Sequence, residues 1–275
     1  MKKIQVIVNG LPGKMAWAVT EAIIKSERFE LIPLSLTGPE TIIENIVVGG
    51  VSIRLLDPEK RIILWFNGFP DVIIDFTIPS AINDNVDFYS VNKVPFVLGT
   101  TSGDQDYIKK RVHEAGISAV VAPNMAKEIV AFQAMMTFAA ENFPGVFKDY
   151  EPTIVESHQK TKDDTSGTAK ALVAVFNQLG APITVEQIDK KRTEAAYEAM
   201  GIPPEYWEGH GWHTYSLKKK DGSVAFSFTH NVNGRQAYID GTLDAASFLF
   251  KASQHIMNHG KVFSMIDVLR NSKMV

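Results

Sequence analysis

At 275 residues and a formal charge of −3, the chain gives no electrostatic case for nucleic acid or an anionic membrane surface as partner. It has no cysteine, which excludes disulfides and thiolate metal sites and suits a reducing compartment. Its length accommodates one large α/β domain or two smaller ones, with a core that needs no staples.

Met1-Lys2-Lys3 carries the charge of a signal-peptide start, but the apolar run Ile4 to Val8 is short, interrupted by Gln5 and stopped at Asn9-Gly10, so it cannot form an h-region. No later segment approaches the ~20 apolar residues of a membrane span. A cytoplasmic protein is expected.

Ile4 to Val8 predicts a buried strand. Ala18, Val19, Ala22 and Ile23 give helical spacing, and Leu31 to Leu36 reads as a second strand. This is a βαβ unit with its glycines at the first turn, where a dinucleotide's pyrophosphate would rest on a helix N-terminus. The turn is Gly10-Leu11-Pro12-Gly13-Lys14-Met15-Ala16, G-x-x-G-x-x-A rather than the usual G-x-G-x-x-G. A Gly-Pro-rich turn without a ligand is the competing reading. After the second strand no acidic residue stands where NAD-preferring folds place one, and Lys14 could meet a 2′-phosphate. NADPH is therefore the expected cofactor, with NADH the alternative.

Strand and helix patterns continue to alternate. Asp71 to Thr77 predicts a strand, and Pro79 and Ser80 open a helix to about Asn92. Val94 to Leu98 predicts a strand ending in Gly99-Thr100-Thr101, Asp104 to Ala115 a helix, and Ile117 to Ala122 a strand ending in Pro123-Asn124-Met125. Ligands bind beyond the carboxyl ends of parallel strands, so Phe76, Thr77, Gly99, Thr100, Thr101, Pro123, Asn124 and Met125 should line one crevice. Pro39 to Gly68 fits less well: Ile46 to Leu56 reads as extended chain, and Pro58 to Phe66 as either helix or strand.

Ala126 to Phe143 predicts a helix linking to a second domain. Pro152 to Val155 reads as a strand, and Glu156 to Thr168 as a strand-to-helix loop leading into Ala169 to Phe176. Thr165, Ser166 and Thr168 are capping residue types, and Gly167 lets an anion approach the backbone. His158 stands upstream with Lys160 and Lys162, a candidate acid or base beside an anion site. Such a segment can also be a plain cap with solvated lysines.

Later strand-like runs are Ile183 to Ile188, His213 to Leu217 and Val224 to His230, with Asp221-Gly222 as a hairpin turn. They suggest an open mixed sheet able to pack against a copy of itself, hence a homo-oligomer, tetramer or dimer. Arg192 to Gly211 reads as a surface excursion or a lid, with His210 and His213 as lid residues. Leu243 to Ser253 and Val262 to Leu269 predict helices. His255 and His259 are four apart on a predicted helix, but no third ligand is recognisable, so no metal is expected. His230 and Arg235 read as adjacent to the site.

Together, Gly10 to Met15, Asp75-Phe76-Thr77, Gly99-Thr100-Thr101, Glu156-Ser157-His158 with Lys162, Ser166-Gly167-Thr168 and His230 to Arg235 resemble the dihydrodipicolinate (4-hydroxy-tetrahydrodipicolinate) reductases of lysine biosynthesis. Glu156 to Gln159, Asp164 to Ala171 and Gly209 to Tyr215 look like the plant-type branch. Compared with the common bacterial pattern, Gln159 replaces a second histidine and the stretch between Lys162 and Ser166 is one residue shorter.

The resemblance implies a Rossmann-like dinucleotide-binding domain (1–125 and 241–275) and an α+β substrate and oligomerisation domain (126–240). It implies NAD(P)H-dependent reduction of a cyclic dicarboxylate in the diaminopimelate pathway, with closure aligning donor and acceptor. His158 would supply the proton, Lys162 would stabilise charge, and Gln159, Ser166, Gly167, Thr168 and Arg235 would hold substrate. Gly10 to Met15 and the strand-end residues would hold the cofactor. An NADP-dependent aspartate or sugar dehydrogenase and a non-catalytic dinucleotide-sensing regulator are the alternatives.

Overall fold

The computed structural model describes residues 2–63, 68–100 and 103–271. The chain forms two compact units, Met1–Lys127 with Ala237–Val275, and Glu128–Gln236.

The first unit opens with strand β1 (Ile4–Asn9), helix α1 (Lys14–Ile24) and strand β2 (Phe29–Leu31). α1 buries Ala16, Val19, Thr20 and Ile23, the three-and-four spacing of one helical face. The run read as one strand, Leu31 to Leu36, is two. β2 pairs with β1, whereas β3 (Leu34–Leu36) pairs with β5 (Val51–Leu56) in a separate three-stranded sheet. Pro33 lies at the break and has no N–H for a ladder; its carbonyl instead accepts from the Arg54 N–H. β4 (Asn45–Val48) and β5 make a hairpin over Gly49-Gly50, both at positive φ, the backbone that a tight two-residue turn requires.

β6 (Val72–Asp75), α2 (Ile82–Val91), β7 (Phe96–Leu98), α3 (Gln105–Ala115) and β8 (Ala119–Val121) follow. Asp104 caps α3 by accepting from the Asp106 and Tyr107 N–H groups, and Gly116, at φ 65, ends it. Of the ambiguous Pro58 to Phe66, only a 3₁₀ turn at Lys60–Ile62 is described in regular form, and 64–67 lie outside the described residues.

The second unit contains α4 (Lys127–Asn142), β9 (Tyr150–His158), α5 (Gly167–Gln178), β10 (Asp189–Lys191), α6 (Glu194–Met200), β11 (His210–Lys219) and β12 (Ala225–Asn233). Its sheet order is β10-β9-β11-β12, with β10 parallel to β9 and the other pairs antiparallel. Ile183 to Ile188 is not a strand. The Thr184 N–H donates to Gln187 Oε1 at 2.8 Å, turning the chain into a 3₁₀ segment, and strand pairing starts at Asp189. Ile154, Leu172, Phe176, Tyr215 and Leu217 form the core between the sheet and α5.

The chain then returns to the first unit through α7 (Gln236–Ser253), β13 (Val262–Phe263) and α8 (Met265–Asn271). The predicted helix Val262 to Leu269 begins only at Met265. Val262 and Phe263 pair in parallel with β8, and the Ser264 hydroxyl and Asp267 carboxylate cap the helix reciprocally. His255 and His259 do not share a helix, because α7 ends at Ser253 and a 3₁₀ turn follows. The completed sheet is all parallel, order β13-β8-β7-β6-β1-β2.

Candidate active site

The carboxyl ends of β1, β6, β7 and β8 are tied side by side. Gly10 N–H donates to the Leu36 carbonyl, Phe76 N–H to Asn9, Gly99 N–H to Asp75 and Ala122 N–H to Leu98. Gly10 stands at φ +101, and a Cβ there would lie 2.6 Å from the Phe76 carbonyl oxygen. A Cβ on Gly13 would lie 2.7 Å from the Gly10 carbonyl oxygen, and one on Gly99 would enter the Phe76 ring at 2.2 Å. Only glycine fits at these positions.

Gly13 is the N-cap of α1, with no side chain to satisfy the first-turn N–H groups. A helix start bare of a cap, beside close-packed glycines at the strand ends, fits a dinucleotide's pyrophosphate. Leu11, Pro12, Lys14 and Met15 complete that turn. Pro123, Asn124 and Met125 follow β8, and Asn124 Oδ1 accepts from the Ala126 N–H at 2.9 Å. α7 packs closely on this point: a Cβ at Gly241 would lie 1.7 Å from the Met125 carbonyl oxygen. The Thr100 hydroxyl donates to the Thr77 carbonyl at 2.6 Å. Thr101 lies outside the described residues.

Beneath the turn lies a buried polar network that sequence reasoning did not single out. Asp75 accepts from the Thr77 N–H (2.7 Å) and hydroxyl (2.6 Å), from Asn85 Nδ2 (3.0 Å) and from the Tyr89 hydroxyl (2.6 Å). Asn9 donates to the Tyr89 hydroxyl and accepts from the Leu36 N–H, both at 2.8 Å. Burial and the neighbouring Asp75 carboxylate push the Tyr89 phenol well above its ordinary value, which keeps it a donor.

In the second unit, His158 ends β9 rather than lying in a loop, because strand pairing with β11 extends to Gly211 opposite it. The alternation of a strand puts Glu156 and His158 on one face. Register places His213 directly across from Glu156, and His230 across from His213. One row of the sheet is therefore Glu156, His213, His230, with His158 one step further along.

Glu156 is fully buried. Its Oε1 pairs with the Arg192 guanidinium, and its Oε2 accepts from the Ser166 N–H at 3.1 Å and stands 3.7 Å from His213 Nε2. Burial alone would raise its pKa, but the neighbouring His213 imidazole and the hydrogen bonds from Ser166 and Arg192 outweigh it and hold the carboxyl well below the ordinary range.

His158 Nδ1 faces the His210 carbonyl at 3.1 Å, and its Nε2 faces His213 Nε2 at 3.3 Å. Burial, then the charge a protonated His213 would carry, lower His158 to about 3. His213 Nε2 is also 2.9 Å from Ser166 Oγ, which caps α5 by accepting from the Ala169 N–H at 3.1 Å.

His210 is not a lid residue. Its Nδ1 faces the Tyr206 and Trp207 carbonyls, and its Nε2 lies 2.8 Å from Ser157 Oγ. His213, also read as a lid residue, is buried within β11. Burial lowers His230 to about 4, and its Nε2 meets the Tyr215 hydroxyl at 3.2 Å.

The segment after β9 turns tightly, with the Lys162 N–H donating to the Gln159 carbonyl at 3.0 Å. Lys162 Nζ pairs with Asp164 at 2.6 Å, and Arg192 Nε donates to the Lys162 carbonyl at 2.8 Å. The Cβ direction of Gly167 opens onto unfilled space, and Thr168 follows in the first turn of α5. Arg235 lies beyond β12, its guanidinium nitrogens 3.7 and 3.9 Å from where a Gly209 Cβ would stand, at the end of the sheet where β9 finishes.

Sequence reasoning quoted Glu156 without a role and missed Arg192 and His213. The available signal was period two. His213, Tyr215 and Leu217 alternate on one face of a strand, so a histidine in phase with two core residues points inward. Glu156, His158 and His213 each offer a ligand atom within 4.8 Å of the others, a spacing open to a cation. Arg192 and the Ser166 N–H already engage the carboxylate, so hydrogen bonds account for the cluster.

Residues 4–125 match the family model described as "Dihydrodipicolinate reductase, N-terminus", and residues 128–269 match "Dihydrodipicolinate reductase, C-terminus". The chain is 41% identical over 276 residues to 4-hydroxy-tetrahydrodipicolinate reductase 1, chloroplastic, of Arabidopsis thaliana, covering 98% of this chain and 79% of that one. It is 39% identical over 274 residues to a probable reductase 2, chloroplastic, of Oryza sativa subsp. japonica, covering 98% and 84%. In fold it is similar to a dipicolinate-bound dihydrodipicolinate reductase from Paenisporosarcina sp. TG-14, with TM-score 0.67, 18% identity and coverage of 96% and 98%.

Proposed function

The chain belongs to the dihydrodipicolinate reductase family, and we propose for it the reaction of its relatives, NAD(P)H-dependent reduction of 4-hydroxy-tetrahydrodipicolinate to tetrahydrodipicolinate in the diaminopimelate route to lysine. The observation that carries this reading is the match of both family models, in order, across nearly the whole chain.

A bound nicotinamide would supply the hydride. Gly10, Gly13 and the bare start of α1 would receive the pyrophosphate, with Leu11, Pro12, Lys14 and Met15 around it. Phe76, Thr77, Gly99, Thr100, Pro123, Asn124 and Met125 line the strand ends where the rest of the cofactor would be held. Lys14, together with the absence of an acidic residue directly after β3, supports NADPH over NADH.

His158 supplies the proton that accompanies reduction. Its Nδ1–H is committed to the His210 carbonyl, so Nε2 is the atom that gains and gives a proton. Lys162 stabilises negative charge on the substrate. The amides of Gly167 and Thr168, the Thr168 hydroxyl, Gln159 and Arg235 hold the carboxylates, and Ser166 fixes the helix start that presents them.

Mixing the protein with NADPH and freshly generated substrate, and following the nicotinamide absorbance, tests the reading. Substrate-dependent loss of the band is expected. Loss with an aspartate-type or sugar substrate alone would favour one of the other dehydrogenases, and cofactor binding without turnover would favour a sensor.

Our reading also includes a cytoplasmic location, tested by fractionation, and a homo-oligomer, tested by light scattering. The oligomer is supported by the exposed outer face of the second unit's sheet, where Thr153, Ser227, Thr229 and Asn231 point away from the core.

A further inference from the structure

His213 holds one hydrogen-bond donor between two acceptors. With His158 Nδ1–H committed to the His210 carbonyl, the Nε2 of neutral His158 is bare. A second bare nitrogen 3.3 Å away would set lone pair against lone pair, so the His213 proton sits on Nε2. That N–H can serve His158 Nε2 or Ser166 Oγ, which is nearer at 2.9 Å, while Glu156 Oε2 at 3.7 Å lies beyond hydrogen-bond reach. Whichever acceptor it serves decides whether His158 Nε2 is covered or open.

The charges around His158 decide the resting state. Arg192, just past β10, and Lys162, in the loop after β9, both oppose a proton on it, as does any charge on His213. Glu156, on β9 itself, favours one but is engaged by Arg192 and the Ser166 N–H. From α6, Tyr197 donates to the His158 carbonyl at 2.8 Å. From β11, the His210 ring is occupied by Ser157, and His230 of β12 lies against His213 with ring centroids 4.7 Å apart. His158 is therefore neutral unless a negative charge arrives.

Ser166 stands where such a charge would arrive. Its Oγ accepts from the Ala169 N–H while its own hydroxyl proton can turn, and the open Cβ side of Gly167 adjoins it.

We propose that His213 is a positioning residue that makes protonation of His158 conditional on a carboxylate bound at the start of α5. The inference rests on the substrate-site reading given above. When the carboxylate binds, the Ser166 hydroxyl turns to it, and Ser166 Oγ takes the His213 Nε2–H. His158 Nε2 opens beside a new negative charge and takes one proton from solvent. The His213 Nε2–H changes acceptor and is not transferred, so the balance is one proton gained by His158 for each dicarboxylate bound. The acid is thereby armed only where there is substrate to receive its proton.

Imidazole ¹⁵N and ¹H resonances of the full chain, followed down to about pH 3 with and without dipicolinate, test this. His158 is assigned by its loss in His158→Gln. Saturating dipicolinate is expected to raise the His158 midpoint by about one to three units. In His213→Phe the ligand should still bind while the rise falls to less than about half. His213→Gln, which returns an amide N–H to the same place, should restore most of it. Ser166→Ala leaves His213 intact and should also lose the rise, which covers the case in which His213→Phe does not fold. Dipicolinate bound to wild type without any rise overturns the inference and leaves the site reading standing. A full rise in His213→Phe or Ser166→Ala does the same. Failure of dipicolinate to bind wild type overturns both.

Discussion

His158 and Glu156 sit two residues apart on one face of β9, yet the same surroundings drive them towards opposite charge states: the imidazole neutral at about 3, the carboxyl held ionised well below its ordinary range. Arg192 contributes to both. Its guanidinium pairs with the Glu156 carboxylate and opposes a proton on His158. Glu156 and Arg192 thus form a closed pair, and His158 is the group left to move a proton.

His158→Gln should therefore damage turnover rather than binding. Glutamine preserves size and polarity but carries no transferable proton, so kcat should fall about 10²–10⁴-fold while KM changes little. Lys162→Ala should cost turnover too. Steady-state kinetics with NADPH and substrate measure both, and near wild-type kcat in both variants would remove the assigned chemistry.

Acid should destabilise the second unit in two stages. His158 and His230 titrate at about 3 and about 4 when folded, against an ordinary 6.5. Between pH 6.5 and those values the unfolded chain binds more protons than the folded one, so stability falls as pH falls. Glu156, with its folded value depressed below the ordinary 4.5, contributes stability above that pH and loses it below. Thermal melts should decline from about pH 6.5 and steepen below about 4.5. His230→Phe should flatten the upper stage, and a melting temperature constant from pH 7 to 5 would contradict the assignment.

The parallel sheet was legible because its strands are short apolar runs ended by turn residues, and the α5 start because Ser166 is a capping type at the right place. Strand edges were less legible. Pro33 split one apparent strand between two sheets, and the Thr184–Gln187 contact turned another into a 3₁₀ segment, both effects of single hydrogen-bonding groups that a hydrophobic pattern does not register. In the site, His158 could be read from its neighbours in sequence. His213 and Arg192 reach Glu156 only through the pairing of β11 and β10 with β9, contacts between residues 36 or more positions apart.

Cofactor preference should depend on Lys14. The residue is exposed at the first position of α1, where a cation can meet a phosphate on the adenosine ribose without desolvation. Lys14→Ala should weaken NADPH binding about tenfold, equivalent to ~1.4 kcal/mol, and leave NADH within about twofold. Fluorescence titrations with both cofactors check this, and equal losses for the two would show that Lys14 meets the shared pyrophosphate instead.

Asp75 should matter for stability and, through it, for the cofactor turn. Its carboxylate takes four hydrogen bonds from Thr77, Asn85 and Tyr89, and the network continues through Asn9 to the Leu36 N–H. Leucine at 75 has similar bulk but leaves those donors buried without an acceptor, at a cost of about 3 kcal/mol or more. Tyr89→Phe removes a single donor and should cost about 1 kcal/mol. Because Asp75 precedes Phe76, whose carbonyl packs on Gly10, Asp75→Leu should also weaken NADPH binding in whatever protein still folds, whereas Tyr89→Phe should leave it nearly unchanged. Denaturant unfolding and cofactor titration on the two variants separate the effects. A stability loss for Asp75→Leu no larger than for Tyr89→Phe would mean that the carboxylate is not the centre of the network.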